Sequence, residues 1–276
     1  MAALTIDQLA AGVGAQILDA DRERLLHDDA FPALCLDALE ANGVLVFPGL
    51  HLDDDTQVAF SAKLGKVEVF GHGPRPEIFR VTLDPTRNPA ASYLRGTFDW
   101  HIDGCTDDIP IRATLLSAHQ VADSGGETEF ASSYRAYEEL PIEEKERFET
   151  LRVVHTFEAA QRLVDDDPSP AELARWRSRP AKEHPLVWRH RSGRRSLVLG
   201  ATASHVVGMD RQEGRNLLAD LLTRSTAPER VYRHRWAVGD LVIWDNRGVL
   251  HRACRYDPTP PRDMHRTTLA GDEAIQ

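Results

Sequence analysis

The fold class this sequence predicts is mainly β with flanking helices, closed into a double-stranded β-helix of the cupin-like, jelly-roll kind. Three observations predict it. Short β-prone runs recur along all 276 residues, the helical segments between them are few, and the candidate metal-binding side chains come from runs far apart in the chain. A hydrophobic content of 42% is ample for one large core, and no repeat or low-complexity stretch is visible. The expectation is a single domain over 1–276.

The elements follow in order. Helical spacing over 34–42 stops at Gly43, and 43–47 is a β-prone run ended by Pro48-Gly49. Asp53-Asp-Asp55 places acids at the positive end of a helix over 53–62 that closes near Gly65. A strand over 77–83 precedes a Pro/Asn-rich loop, 84–90, that delivers the chain to Trp100-His101-Ile102-Asp103. Residues 113–121 read as a buried strand. The turn Asp123-Ser-Gly-Gly126 leads into Glu127-Thr128-Glu-Phe130. Ser132 or Ser133 caps one short helix and Pro141 begins another. The segment at about 161–185 is polar, charge-rich and Pro-interrupted, which reads as a surface excursion or lid. A strand over 196–200, an amphipathic helix over 211–222, and strands over 230–237, 241–244 and 264–269 complete the chain.

A formal net charge of −10 excludes nucleic acid and anionic membrane as expected partners. No apolar run approaches the roughly 18 residues of a membrane span. The N-terminus carries Asp7 where a secretory signal would be positive, so a cytoplasmic protein is expected. Three widely spaced cysteines, Cys35, Cys105 and Cys254, form neither a disulfide framework nor a metal knuckle.

His101-Ile102-Asp103 and the distant His251 carry the chemistry. Two imidazoles and one carboxylate are the protein half of the 2-His-1-carboxylate facial triad, which holds non-haem Fe(II) and leaves its opposite face open. On an extended strand His101 and Asp103 would point the same way while Ile102 faces inward. A structural ion pair, or a Zn(II) hydrolase site, is the alternative for the same three residues. A dense basic stretch, residues 251–266, runs against the acidic trend and is either a solvated edge or an anion pocket; its place directly after His251 favours the pocket. Arg262 and Arg266 are four apart and so share one face of a strand. A guanidinium fits a carboxylate with two prongs, and a hydroxyl such as that of Thr128 can add a third bond.

Gly125-Gly126-Glu127-Thr128 and the run 232–252, with the arginines eleven and fifteen residues after His251, resemble the taurine dioxygenase/2,4-dichlorophenoxyacetate dioxygenase family of Fe(II)/2-oxoglutarate-dependent oxygenases. The resemblance covers nearly the whole chain, and run 232–252 looks closest to the aryloxyalkanoate-cleaving branch. It implies that His101, Asp103 and His251 are the iron ligands and that Thr128 and Arg262 bind the far carboxylate of 2-oxoglutarate. It implies further that Arg266 grips the anionic group of the organic substrate. His72 falls where the taurine enzymes place a sulfonate-contacting histidine, and His205 resembles a substrate-side histidine of the phenoxyacetate branch.

The implied cofactor is Fe(II), with 2-oxoglutarate and O₂ as co-substrates. The implied partner is a small anionic organic molecule, and the implied assembly is a homo-oligomer, dimer or tetramer. The activity expected is hydroxylation of a small acidic substrate, aryloxyalkanoate-like, with C–O cleavage of the product. Asp103 stands where related halogenases carry a small residue, which argues for hydroxylation. The alternatives are a taurine or alkylsulfonate dioxygenase releasing sulfite, or a cupin-like binding protein that keeps the pocket without turnover.

Overall fold

The computed structural model describes residues 3–9, 12–70, 74–257 and 262–276. The chain begins with β1 (Ile6–Gln8) and β2 (Ala15–Ile17), an antiparallel pair, followed by α1 (Arg22–His27) and α2 (Phe31–Asn42). Pro32 opens α2, where its missing N–H costs nothing. Gly43 ends it at φ 73°, and a Cβ there would come within 2.9 Å of a Val249 methyl, so both conformation and space require glycine. β3 (Val44–Phe47) is buried on both faces. α3 (Asp54–Leu64) is capped by Asp53, whose carboxylate accepts from the Thr56 amide at 2.8 Å.

β4 (Phe79–Val81), a 3-10 turn (Tyr93–Phe98), β5 (Ala113–Gln120) and β6 (Thr128–Ser132) come next. α4 (Ser133–Glu138), α5 (Ile142–Phe148), β7 (Arg152–His155), α6 (Phe157–Gln161), α7 (Pro170–Arg177), β8 (Lys182–Pro185), β9 (Val187–Arg189), β10 (Arg195–Leu197) and β11 (Ala203–Val206) lead to α8 (Arg211–Ser225). The last strands are β12 (Val231–His234), β13 (Leu241–Asp245), β14 (Val249–Ala253) and β15 (Asp263–Leu269).

The major sheet has the order β1-β2-β3-β13-β5-β15-β4, and a smaller one runs β12-β6-β14. β3 and β13 are buried throughout and β5 over its first six residues, because both of their faces are covered. Alternate residues (Leu45, Phe47, Leu115, Leu241, Ile243) pack under α2 and α3 against Phe31 and Phe60. The intervening set (Val44, Val46, Leu116, Val242, Trp244, Met264) packs against Phe130 and Val249 of the smaller sheet. A third cluster around Trp188, Leu186, Leu197 and Leu250 joins the small sheet to the β7–β11 region and α8. The two sheets therefore face each other across an apolar layer, and the cleft described below opens within it.

The sequence reading differs from the structure at defined places. The 161–185 segment, read as a surface excursion or lid, carries regular elements that its polar, Pro-interrupted sequence did not indicate. It contains α7, which starts with a capping box between Ser169 and Glu172, and β8, which pairs with β7. His101 sits in no strand: it makes one antiparallel bridge, and the chain turns immediately after it.

The Asp53 carboxyl is held down to about 2 by the Thr56 hydroxyl and amide and by Arg22. Its folded value lies below its unfolded one, so its contribution is fully present above about pH 4 and lost as pH falls toward 2. Asp53→Ala is expected to cost about 1 kcal/mol in urea unfolding at pH 7, with the gap from the parent protein narrowing between pH 4 and pH 2.5. A gap independent of pH would contradict the ionised cap.

Candidate active site

Two backbone hydrogen bonds build the site. The His101 amide donates to the His251 carbonyl at 3.0 Å and the His251 amide donates back to His101 at 2.9 Å. This reciprocal pair sets the two imidazole centroids 4.2 Å apart. β14 fixes His251 through its register opposite Phe130 of β6. Ile102 is buried in the core and the chain then turns at Gly104, φ 84°, so Asp103 swings back toward the histidines. The turn does what the expected strand alternation would have done.

Asp103 Oδ1 lies 3.6 Å from His101 Nε2, and Asp103 Oδ2 lies 3.8 Å from His251 Nε2. Both are too long for hydrogen bonds. Donors held about 2.1 Å from one shared ion stand roughly 3.0–3.4 Å apart, so a small contraction onto a cation satisfies all three. His101, Asp103 and His251 form a group whose ligand atoms all lie within 4.8 Å. The His101 Nδ1 lies 2.8 Å from the Asp99 carbonyl, which can only accept. The proton is therefore on Nδ1, and Nε2 offers its lone pair to the cleft. Burial and the neighbouring His101 push His251 down to about 3, so its ring is neutral, the form that ligates metal. Burial alone would raise the Asp103 carboxyl, but His251, Arg266 and His101 outweigh it and keep it below the usual carboxylate range.

Thr128, Arg262 and Arg266 line the same cleft as the three donors, with Leu94, Thr97 and Leu116 closing it. Thr128 Oγ1 accepts from Trp236 Nε1 at 2.9 Å, which turns the hydroxyl proton away from Trp236. Arg262 is 3% exposed, and among the described residues no carboxylate pairs with it. Its neighbours are the Tyr256 hydroxyl and the Tyr256 and Trp236 rings, 5.5 and 6.0 Å from the guanidinium carbon. Burial lowers its pKa, yet a guanidinium stays charged in a protein, so the site holds an uncompensated cation. The Gly125-Gly126 turn makes room for this arrangement. A Cβ on Gly125 would stand 2.3 Å from the Arg255 carbonyl, and one on Gly126 would press on the Arg262 side chain at 3.3 Å.

Arg266 reaches Asp103 Oδ2 at 3.7 Å and lies over the Phe79 ring at 4.7 Å and Phe70 at 5.4 Å. The rest of the basic stretch belongs to the scaffold: Arg252 binds Glu129 at 2.6 Å, and Arg255 covers Phe98.

The structure does not bring His205 to this cleft. It lines a separate groove with Asp99, Trp100 and Arg211, its Nδ1 beside Ser204 Oγ at 3.2 Å, because β11 pairs with β7 on the far side of Trp100. The sequence assignment of His205 to the substrate side of the metal is thus not supported by its position. His72 lies outside the described residues. Asp245 and Asn246 are fully buried and fix the turn before β14, Asp245 through Arg247 and Asn246 through Thr114. Sequence reasoning missed Trp236, the Asp99 carbonyl, and the covering pair Leu94 and Thr97. Only Trp236, two residues beyond the end of β12, carried a usable signal.

Comparison with known proteins places the chain among dioxygenases. The sequence profile described as "Taurine catabolism dioxygenase TauD, TfdA family" matches residues 5–268. The alpha-ketoglutarate-dependent 2,4-dichlorophenoxyacetate dioxygenase of Burkholderia sp. (strain RASC) is 39% identical over 249 residues, covering 84% of this chain and 83% of that protein. The (S)-phenoxypropionate/alpha-ketoglutarate-dioxygenase of Sphingobium herbicidovorans is 34% identical, covering 84% of each. Among solved structures, AAD-2 in complex with Mn(II) and N-oxalylglycine superposes with TM-score 0.85 at 32% identity, covering 100% of both chains. A taurine dioxygenase from Burkholderia xenovorans gives TM-score 0.80 at 28% identity, covering 99% of this chain and 93% of that one.

A buried cation with no carboxylate partner among the described residues costs stability. Arg262→Met is therefore expected to leave the ligand-free protein as stable as the parent or more so, by about 1 kcal/mol or more. A large loss of stability on thermal unfolding would show that Arg262 is a structural charge after all.

Proposed function

We propose a function from one premise: this chain belongs to the taurine catabolism dioxygenase TauD, TfdA family. It is a non-haem Fe(II)/2-oxoglutarate-dependent dioxygenase, an oxidoreductase with Fe(II) as cofactor and 2-oxoglutarate and O₂ as co-substrates. The facing sheets are read as a double-stranded β-helix, one domain with the 161–185 segment as an outer cover. We take the protein to be a cytoplasmic homo-oligomer.

His101, Asp103 and His251 would hold the iron; the donor set and the spacing of its atoms fit a small cation with three open positions. Iron so bound supplies the redox chemistry, by which 2-oxoglutarate loses CO₂ to become succinate and one oxygen atom reaches a substrate C–H bond. Arg262, with the Thr128 hydroxyl, takes the far carboxylate of 2-oxoglutarate. The observation that carries the reading is that Arg262 is buried with no carboxylate partner among the described residues, a counter-charge that this carboxylate would supply. N-oxalylglycine, present in the AAD-2 structure, offers the same two carboxylates in the same chain length.

Arg266 receives the substrate's acid group at the other side of the metal, and Phe79 and Phe70 give that end an apolar wall. Two fixed arginines thus hold two anions in one orientation, which aims a single C–H bond at the metal. The substrate is a small aryloxyalkanoate-like carboxylate. Hydroxylation of its carbon next to the ether oxygen gives a hemiacetal or hemiketal whose collapse breaks the C–O bond, leaving a phenol and an aldehyde acid from an aryloxyacetate or a keto acid from an aryloxypropionate. The relatives that act on 2,4-dichlorophenoxyacetate and phenoxypropionate favour this over alkylsulfonate oxidation.

The test is succinate release with Fe(II), ascorbate and 2-oxoglutarate over a panel of aryloxyacetates, aryloxypropionates and alkylsulfonates. Stimulation by the aryloxy acids and its loss in Asp103→Ala are expected. Preference for the sulfonates, or undiminished turnover in Asp103→Ala, would overturn the reading. The two arginines should also separate kinetically. Each charge-assisted pair is worth about 1.5–3 kcal/mol, roughly 10- to 150-fold in binding. Arg262→Ala should raise KM for 2-oxoglutarate by that factor, and Arg266→Ala should do so for the aryloxy acid. Equal effects on both would contradict this division.

A further inference from the structure

A second set of two imidazoles and a carboxylate lies on the opposite face of the major sheet. Along β15, Met264 and Arg266 face the cleft, so His265 points the other way, beneath α3. The ladder between β5 and β15 pairs Ala118 with Met264 and Gln120 with Asp263, skipping His119, which is left as an unpaired bulge residue. Its ring stacks on that of His265 with centroids 3.8 Å apart. Asp54, first residue of α3, completes the group: its Oδ1 is 2.5 Å from His265 Nδ1, and the donor atoms of Asp54, His119 and His265 all lie within 4.8 Å.

We propose that Asp54, His119 and His265 form a second divalent-metal site, for a borderline transition ion such as Zn(II). The surrounding hydrogen bonds set the tautomers for it. Gln57 Nε2 donates to the His265 carbonyl, so its Oε1 faces Ser117 and takes the Ser117 hydroxyl proton at 2.6 Å. Ser117 Oγ is then an acceptor for His119 Nε2–H at 3.1 Å, and His119 Nδ1 is left with its lone pair free.

The His265 ring is mismatched without an ion. Its Nδ1–H goes to Asp54, which leaves Nε2 unprotonated and facing Asp263 Oδ1 at 3.8 Å. Both of those atoms are buried and have no hydrogen-bond partner, on residues only 7% and 4% exposed. A metal on Nδ1 moves the proton to Nε2, where Asp263 Oδ1 accepts it once the 3.8 Å gap closes by roughly 1 Å or slightly less; this is the carboxylate–histidine–metal arrangement of many metal sites. Asp263 is already anchored through its other oxygen by Arg80 and Arg87 at 2.6 and 3.1 Å. One ion therefore satisfies two orphaned atoms at once. Asp54 and His119 are partly exposed, which gives the ion an entry path.

The competing account puts a second proton on His265, making it an imidazolium between Asp54 and Asp263 with no metal. A zinc count separates the two. Parent protein, His119→Ala, Asp54→Asn, Asp103→Ala and the Asp103→Ala/His119→Ala double variant are dialysed against micromolar Zn(II), and bound metal is measured with far-UV circular dichroism as a folding check. The expectation is about two equivalents in the parent, one in each single variant and none in the double. A parent count that His119→Ala and Asp54→Asn both leave unchanged overturns the second site and leaves the iron assignment intact. Loss in those two variants but not in Asp103→Ala would uphold the second site and count against the first. Asp54→Asn, at an exposed helix start, keeps the test decisive should His119→Ala fail to fold.

Discussion

The reciprocal backbone bond between His101 and His251 is the constraint from which the active site follows. It joins positions 150 residues apart and does so at the ligands themselves rather than at a distance from them. Because the contact is main chain to main chain, it fixes both Cα–Cβ directions before any metal binds. Side-chain choice is then small: Asp99 holds the His101 ring, and the turn after Ile102 brings Asp103 across. A facial arrangement of donors needs three side chains on one side of the ion. Here that side is the rim where the small sheet meets the turn at 102–104, so the opposite side faces the cleft.

Charge placement inside the cleft follows a second logic. The chain is acidic overall, yet the cleft holds Arg262, with no carboxylate partner among the described residues, and Arg266 against a carboxylate that is itself a candidate ligand. An unpaired buried guanidinium is costly in the free protein, and that cost is what gives an anionic ligand its binding energy. The Gly125-Gly126 turn and the bulge at His119 are local departures from regular strand geometry at the N-terminal ends of β6 and β15. Such departures concentrate where side chains must be re-aimed.

Much of this was legible in the sequence, for reasons that particular elements make plain. Strands β5, β13 and β15 announce themselves as long apolar or alternating runs because they are covered on one or both faces. The histidines, Asp103, Thr128, Arg262 and Arg266 could be read because their chemistry and spacing form a set. Strands β7, β8, β9 and β11 could not: at three or four residues each, they lack a full period of any pattern, and β10 shows only through the apolar run at 196–200. The 3-10 turn at Tyr93–Phe98 covers the cleft through Leu94 and Thr97 but has neither helical nor strand periodicity. α7 did carry a signal, Ser169-Pro170 with Glu172 at the capping position, which the surrounding charge and prolines obscured. His205 misled because its neighbours in sequence say nothing of which side of Trp100 β11 will take. Asp54, His119 and His265 are assembled from three elements, and only the skipped pairing at His119 turns them toward one another.

The most direct test of the central claim is the anomalous scattering of Mn(II) in crystals grown without O₂. The account predicts a strong peak about 2.2 Å from His101 Nε2, a carboxylate oxygen of Asp103 and His251 Nε2, with its remaining positions open to solvent or keto acid. The absence of a peak at these three donors, or an ion there closed off by a fourth protein donor, would contradict it.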